Sequence, residues 1–296
     1  MNIVTQVMLP LILAFIMFSM GLDLTLTDFR RITKFPKAFL LGLVLQFISL
    51  PILAFSIAHL FIGYGLDPQY AVGLVIIAAC PGGVTSNMLT HLVRGDSALS
   101  VSLTAVSSII SVITLPIIVN LALNQFMGQV ETTVLPVGKT VLGIFLITTV
   151  PVAIGMGIKA LKNEFATKIE PNIRKIASVL FILIISAAIF KDWKLIYDNF
   201  NTIGPATLAL NMTVMLIAFV VARIFDLNLS QTSAITFECG LQNGTLAIFI
   251  TLTLLNNSMM MLPGGIYSIL MFGTAGLYIY LHKKSLMKKN SSIISA

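Results

Sequence analysis

Long apolar stretches separated by short polar connections run through the whole chain. A bilayer core about 30 Å thick requires roughly 20 apolar residues per helix. On that basis the pattern predicts nine transmembrane helices and no separate soluble domain, with spans near 4–22, 38–63, 70–93, 97–124, 134–159, 174–190, 203–224, 230–256 and 262–281. The first stretch has no basic leader and no small-residue cleavage site, so we expect a retained span rather than a signal peptide.

Composition supports an all-α polytopic membrane protein. Hydrophobic residues make up 57% of the 296 residues and charged residues only 10%, whereas globular proteins carry about 25% charged residues. The formal charge is +7, but the basic residues form no continuous patch, so we expect no nucleic-acid partner. The two cysteines, Cys80 and Cys239, lie in apolar stretches and predict neither a disulfide framework nor a metal site.

The basic residues are distributed unequally between the two sides of the predicted helices. Cytoplasmic loops of membrane proteins carry the excess of lysine and arginine. The pattern therefore places the N-terminus outside and the C-terminus in the cytoplasm of a cell membrane. Fifteen of the 18 basic residues fall on that cytoplasmic side: Arg30, Arg31, Lys34, Lys37, Arg94, Lys159, Lys162, Lys168, Arg174, Lys175, Arg223, Lys283, Lys284, Lys288 and Lys289.

Of the eleven acidic residues, only Glu238 lies in the middle of a predicted span. A carboxylate at that depth costs several kcal/mol unless it is paired, coordinated or hydrated, so such a residue is a candidate for function. The alternative is a protonated glutamic acid that is hydrogen-bonded between helices.

Two predicted spans are interrupted at mid-depth. The third contains the sequence CPGGVTSN at 80–87, and the eighth contains ECGLQNGT at 238–245. Proline removes a backbone donor and glycine weakens a helix, so both segments predict open backbone. Gly82 and Gly240 are expected to allow the two breaks to pass each other. Open backbone at this depth is tolerated where it lines a cavity or is buried in protein.

The positions of the two breaks predict an internal repeat within a single transporter domain. The third span, which is broken, is followed by one further span and then a natural break in the chain at about residue 128. The eighth span, also broken, is followed by one further span and then the C-terminus. This arrangement predicts inverted five-helix repeats at about 1–128 and 129–296, with the first helix of repeat one missing. Paired interruptions in corresponding positions indicate a transporter site at the repeat interface. Two unrelated kinked helices are the alternative.

Hydroxyl side chains follow one face of the fourth span, at Ser97, Ser100, Thr104, Ser107, Ser108 and Ser111. Such a stripe is typical of close helix packing, but Ser100 and Thr104 could also offer oxygens to an ion. One carboxylate with several neutral oxygens, and no cluster of histidine and cysteine, favours Na⁺ over a transition metal.

With these motifs, the chain resembles the bile acid:sodium symporter family, in particular bacterial homologues of the apical sodium-dependent bile acid transporter. The resemblance covers essentially the whole chain. It implies a core domain, in which the two broken helices cross, beside a panel domain. The motifs that carry it are MGL at 20–22, CPGGVTSN at 80–87, RGDSALS at 94–100 and ECGLQN at 238–243.

The resemblance also implies the ligands of two sodium sites. The first would use Ser86, Asn87, Ser100, Thr104 and Glu238. The second would use Gln46, Glu238, Gln242 and the backbone carbonyls of Cys239 and Leu241. Asn87 and Asn243 are expected near an anionic group of the substrate. Met271 stands where some relatives have a histidine in the last span and is a further candidate for contact with the substrate, and Val84 stands where some relatives have a threonine after the glycine pair.

The sequence thus predicts a sodium-coupled symporter that imports an organic anion, bile acid-like or smaller, by alternating access. It is expected to act as a monomer, without enzymatic activity and without a cofactor other than Na⁺ as the coupling ion. A cation/proton antiporter that uses Glu238 is one alternative. An intramembrane enzyme or receptor is a weaker one, because the spans contain no HExxH, GxSxG or paired aspartates.

Overall fold

A computed structural model describes residues 7–25, 36–128, 137–191 and 193–294. These residues form helices joined by short connections, with one isolated β-bridge. In chain order the helices are α1 (Leu9–Asp23), α2 (Pro36–Ile62), α3 (Pro68–Ala79), α4 (Val84–Leu92), α5 (Ser97–Met127), α6 (137–161), α7 (Asn163–Lys191), α8 (Trp193–Ile224), α9 (Leu229–Gly240), α10 (Gly244–Leu254) and α11 (Ser258–Ile294).

Within the described residues, each predicted span overlaps one helix or a broken pair of helices, with differences at the ends. Among the described residues, five helices are long and apolar enough to cross a membrane, namely α2, α5, residues Val141–Leu161 of α6, α8, and residues Ser258–Lys284 of α11. Helices α1, α3 and α10 are shorter and apolar. Residues 4–6 and 134–136 of the predicted spans lie outside the described residues, as do Arg30, Arg31 and Lys34.

Both predicted interruptions are present. Helix α3 ends at Ala79 and α4 begins at Val84, so that Pro81 and the glycine pair lie in extended backbone between them. Helix α9 ends at Gly240, and α10 begins at Gly244 behind Asn243, whose side chain accepts a hydrogen bond from the Leu246 N–H. The two broken pairs are α3–α4 and α9–α10.

Two long helices contain a π-helical turn directly before a proline. In α2 the turn covers Leu45–Ser49 and precedes Pro51. In α6 it covers Phe145–Thr149 and precedes Pro151. Proline cannot donate to the carbonyl four residues earlier, and a π-turn is one way in which a helix accommodates that loss. The turn in α2 contains Gln46, which is buried.

Helices α1 and α6 pack with their backbones in close contact. A Cβ atom at Gly21 would lie 2.3 Å from the Val152 carbonyl oxygen, and one at Gly155 would lie 2.6 Å from the Phe18 carbonyl oxygen. Small residues permit such approach in membrane helices. Helix α7 also packs on α1, and Arg174 of α7 pairs with Asp23 at 2.5 Å. These helices form one group, and α2, α3, α5, α8, α9 and α11 pack around the two breaks.

Candidate functional site

The two breaks meet through their backbones. Gly82 and Gln242 form an antiparallel β-bridge, and the Asn243 N–H donates to the Pro81 carbonyl at 2.9 Å. Backbone groups that lost their helical partners at the breaks thereby satisfy each other, as buried backbone requires. The crossing is enclosed by protein, because Gly82 and Gln242 are both buried.

The Glu238 carboxylate lies at this crossing. Glu238 is the third-last residue of α9, and only 1% of its surface is exposed. The Ser86 hydroxyl of α4 donates to Oε2 at 2.8 Å, and the Thr104 hydroxyl of α5 lies 2.8 Å from both carboxylate oxygens. Side chains from three separate helices therefore converge on the one acidic group at this depth.

Oxygen atoms that accept hydrogen bonds outnumber the available hydrogens around this carboxylate. Thr104 Oγ1 lies within reach of both Glu238 oxygens, Asn87 Oδ1 at 3.2 Å and the Ser100 carbonyl at 3.0 Å, yet it carries one hydrogen. The Ser100 hydroxyl donates to Asn87 Oδ1 at 2.7 Å. A hydroxyl accepts as well as donates, so these side chains form one connected hydrogen-bond network. We name Ser86, Asn87, Ser100, Thr104 and Glu238 the carboxylate cluster.

The carboxylate cluster has the composition that a hard cation prefers. Carboxylate, amide and hydroxyl oxygens are the usual ligands of such ions. Softer transition metals prefer imidazole and thiolate, and within the described ranges no three His, Cys, Asp or Glu residues come together as a metal site. The negative charge of Glu238 would offset the cost of taking a monovalent cation out of water.

A second group of polar atoms also lies at the crossing. Gln46 Nε2 donates to the Cys80 carbonyl at 2.9 Å and to Gln242 Oε1 at 3.0 Å. Gln242 Nε2 donates to the Cys239 carbonyl at 2.8 Å. We call Gln46, Gln242 and these carbonyls the amide cluster. Of the ligands expected at the second sodium site, Gln46, Gln242 and the Cys239 carbonyl come together here. Leu241 lies in the same break and is fully buried, and the Glu238 carboxylate belongs to the carboxylate cluster.

The residues expected to contact substrate lie in different surroundings. Asn243 is 7% exposed and its side-chain oxygen caps α10. Asn87 is partly exposed, and its Oδ1 faces the carboxylate cluster. Met271 of α11 is fully buried, so it would reach a substrate only after a rearrangement. The sequence left these contacts as expectations, and they remain predictions.

The hydroxyl stripe of α5 divides between its two predicted roles. Ser100 and Thr104 belong to the carboxylate cluster. The hydroxyls of Ser107 and Ser108 both donate to the Thr104 carbonyl, at 3.1 and 2.7 Å, and that of Ser111 to the Ser108 carbonyl at 2.9 Å. The lower part of the stripe thus satisfies its own helix and allows close packing.

Several polar residues around the crossing were not singled out from the sequence. The Thr90 hydroxyl of α4 donates to Ser100 Oγ at 3.3 Å. Asn211 of α8 and Tyr267 of α11 both donate to the Gly240 carbonyl. An asparagine inside an apolar span is a recognisable signal, because polar groups at that depth need a partner, and applying it to Asn211 would have found this contact.

The sequence profile of the sodium bile acid symporter family matches residues 10–199. The chain belongs to the sodium bile acid symporter family. This confirms the resemblance drawn from the motifs, and the matched segment runs from α1 through α7 into the start of α8, including the first break and four of the five residues of the carboxylate cluster.

Individual relatives in this family are named as sodium-dependent transporters. The uncharacterized sodium-dependent transporter YocS of Bacillus subtilis is 33% identical over 119 residues, which are 40% of this chain and 36% of that protein. The probable chloroplastic sodium/metabolite cotransporter BASS1 of Arabidopsis thaliana is 36% identical over 139 residues, 44% of this chain and 33% of that protein.

The human ileal sodium/bile acid cotransporter is 33% identical over 117 residues, 40% of this chain and 33% of that protein. The matched segments therefore span about a third of the length of these curated relatives. Membership of this family together with the long apolar helices supports a multi-pass membrane protein, and the printed names of these relatives describe sodium-dependent transport.

Proposed function

We propose that this protein is a sodium-coupled symporter that imports an organic anion by alternating access. The observation that supports this most directly is the carboxylate cluster. It places one buried carboxylate and four neutral oxygen donors where two broken helices meet. Broken helices with paired interruptions hold the ions and the substrate in many secondary transporters.

The first sodium ion would bind the carboxylate cluster. Its oxygens already lie 2.7 to 3.2 Å from each other along the chain of contacts from Ser100 through Asn87 and Thr104 to Glu238. A cation among them needs small shifts of side chains and no change of fold. Because Ser86 and Asn87 come from α4, Ser100 and Thr104 from α5 and Glu238 from α9, the ion would join both broken pairs.

The second sodium ion would bind the amide cluster, after a local rearrangement. In the structure the Gln46 amide nitrogen donates to Gln242 Oε1 and to the Cys80 carbonyl, and the Gln242 amide nitrogen donates to the Cys239 carbonyl. A cation requires oxygens at these positions, so both amides would have to rotate. We therefore propose that the carboxylate cluster fills first and the amide cluster second.

The substrate is an organic anion, either bile acid-like or a smaller organic acid. The relatives' names include both bile acid and metabolite cotransporters. We propose that the anion binds beside the crossing, near Asn87 in the first turn of α4 and Asn243 directly before α10. The N-terminal ends of these two half-helices favour negative charge. Sodium binding then sets the position of both half-helices before the anion arrives.

The proposed coupling has enough driving force for accumulation. A tenfold sodium gradient contributes ~1.4 kcal/mol per ion, and a potential of 100 mV contributes ~2.3 kcal/mol per net charge. Two sodium ions with one monovalent anion together give about 5 kcal/mol, which corresponds to roughly 10³- to 10⁴-fold accumulation.

The proposed topology has nine transmembrane segments: α1, α2, α3–α4, α5, α6, α7, α8, α9–α10 and α11. Inverted repeats relate α1–α5 to the part of the chain from α7 to α11. The group formed by α1, α6 and α7 would be the panel domain and the remaining helices the core domain. In a cell membrane the start of α1 would face outward and the end of α11 the cytoplasm, and one copy of the chain would suffice.

This topology predicts the labelling pattern of introduced cysteines. In a background with Cys80 and Cys239 replaced by alanine, a cysteine at Gly128, just after α5, should react with an impermeant maleimide in intact cells. A cysteine at Asn290 should react only after the cells are permeabilised. Protection at Gly128 together with labelling at Asn290 in intact cells would contradict the proposed orientation.

The proposed function is tested with purified protein in proteoliposomes. An inward Na⁺ gradient should drive uptake of at least one anion from a set containing a conjugated bile acid, a keto acid and an aromatic carboxylate, and an equal K⁺ gradient should not. A cation/proton antiporter would instead acidify or alkalinise the lumen on Na⁺ addition without any anion, which an internal pH-sensitive dye detects. That result would replace the symporter by the antiporter.

A further inference from the structure

The Gly240 carbonyl is held by two buried side chains. Asn211 Nδ2 of α8 donates to it at 2.7 Å, and the Tyr267 hydroxyl of α11 donates at 3.0 Å. Both side chains are fully buried. The orientation of the Asn211 amide is fixed from its other end, because the Thr274 hydroxyl of α11 donates to Asn211 Oδ1 at 2.5 Å. Helices α8 and α11 thus hold the last residue of α9 from two directions.

This contact has a counterpart at the first break. There the Gln46 amide of α2 donates to the Cys80 carbonyl at 2.9 Å. Cys80 and Gly240 are equivalent positions, since each lies two residues before a partner in the β-bridge between Gly82 and Gln242. The donor comes each time from the long helix that immediately precedes the broken pair, α2 before α3 and α8 before α9. Each break therefore has a carbonyl that is held by an amide side chain from the preceding long helix.

The two contacts differ in what surrounds them. Gln46 also touches Gln242 and belongs to the amide cluster, whereas the partners of Asn211 are Gly240 and Thr274, outside both proposed sets of sodium ligands. Gly240 has no Cβ atom, so its backbone has more conformational freedom than that of any other residue type. Its peptide group separates the Cys239 carbonyl from the Leu241 carbonyl, which are the proposed backbone ligands of the second sodium ion.

We infer that Asn211 and Tyr267 are positioning residues, which fix the Gly240 peptide and thereby aim the Cys239 and Leu241 carbonyls at the second sodium ion. The inference rests on the proposed function for the identity of the ion. The positioning itself is independent of it, because a held carbonyl restrains the backbone whether or not an ion is bound. Neither residue touches the ion.

The test compares Asn211→Leu with Thr207→Val. Asn211→Leu removes the donor but leaves no buried group without a partner, because Tyr267 still donates to Gly240 and the Thr274 hydroxyl can use the Met271 carbonyl at 3.0 Å. Thr207 is the matched control. It lies one turn earlier on α8, is fully buried, and bonds only carbonyls of its own helix, those of Ile203 and Gly204. Tyr267→Phe is a second variant that removes the other donor.

Two measurements are made on purified protein, with choline chloride keeping ionic strength constant. The first is the Na⁺ concentration for half-maximal thermal stabilisation, which should rise about tenfold in Asn211→Leu, less in Tyr267→Phe and not in Thr207→Val. The second is hydrogen exchange without Na⁺ in a peptide covering 238–246, whose amides include the Leu241 N–H, bonded to the Phe237 carbonyl, and the Asn243 N–H, bonded to the Pro81 carbonyl of the other break. Exchange should be faster in Asn211→Leu than in Thr207→Val.

The outcomes separate the two ideas. Equal exchange and equal Na⁺ dependence in Asn211→Leu, Tyr267→Phe and the control would overturn the positioning role. A wild-type protein that Na⁺ stabilises no more than choline does would overturn the proposed sodium site, and the exchange comparison would still decide the positioning role. Faster exchange in Thr207→Val to the same extent would show a general loosening of α8 and would also overturn the inference.

Discussion

Replacing Glu238 with glutamine should abolish Na⁺-driven uptake and most of the stabilisation by Na⁺, while the protein still folds. Glutamine keeps the size and one carbonyl oxygen of the side chain, but it removes the charge that offsets desolvation of the cation. A site filled at 100 times its Kd stabilises a protein by ~2.7 kcal/mol. The measurement is the shift in melting temperature between NaCl and choline chloride, beside uptake in proteoliposomes.

The control for this variant is Glu164→Gln, which removes the same charge from an exposed position at the start of α7. It should keep the full response to Na⁺. If Glu238 were a protonated side chain that only packs between helices, glutamine would be tolerated there too. A Glu238→Gln protein with the wild-type Na⁺ response would therefore exclude the carboxylate cluster as a sodium site.

Gly82→Ala should be nearly as damaging, although it adds a single methyl group. A Cβ atom at Gly82 would lie 2.1 Å from Glu238 Oε1 and 2.5 Å from its carboxyl carbon. The carboxylate must move away from Ser86 and Thr104, or the β-bridge must open. We expect the Na⁺ affinity to fall by at least roughly tenfold, which corresponds to about 1.4 kcal/mol, and Na⁺ titration of the melting temperature measures it.

The neighbouring glycine supplies the control. A Cβ atom at Gly83 would have the Thr85 hydroxyl as its nearest contact, at 3.7 Å, so Gly83→Ala should bind Na⁺ like the wild type. Equal Na⁺ affinities for the two alanine variants would show that the contact between Gly82 and Glu238 does not shape the site. The comparison is stringent because the two variants carry the same substitution at adjacent residues.

Much of the local structure at the crossing was predictable from sequence. Pro81 and the adjacent glycines interrupt one helix, and their effect is a property of the backbone that does not depend on tertiary context. Glu238 was recognisable because a carboxylate at membrane depth needs partners. The sequence alone associated Ser100 and Thr104 with an ion through their spacing, and the family resemblance added Ser86, Asn87 and the second cluster.

What the sequence could not supply was the direction of the side chains across helices. Both Gly82 and Gly240 were expected where the breaks pass each other. Gly82 does contact the opposite break, whereas a Cβ atom at Gly240 would meet the Met215 side chain of α8 at 2.4 Å. Which face of a broken helix turns to a given neighbour depends on packing between distant segments. The same limit hid the partner of Asn211, the Gly240 carbonyl 29 positions away.

The ends of the helices were also underestimated. The apolar pattern predicted a span at 174–190, but α7 begins at Asn163. Its first turns are polar and include Glu170 and Arg174, which pair with each other and, through Arg174, with Asp23 of α1. Hydropathy reports the part of a helix that lipid surrounds, and a helix continues beyond it when its polar turns find partners.

The close contacts at Gly21 and Gly155 restrict how α1 and α6 can move relative to each other. With Gly21 against Val152 and Gly155 against Phe18, a displacement of one helix along the other by a single residue would drive a side chain into a carbonyl oxygen. Each helix contributes one of these two contacts, and together they oppose sliding of α1 along α6. In the alternating access proposed above, α1 and α6 must therefore move together, and the surface along which the two domains slide must lie between other helices.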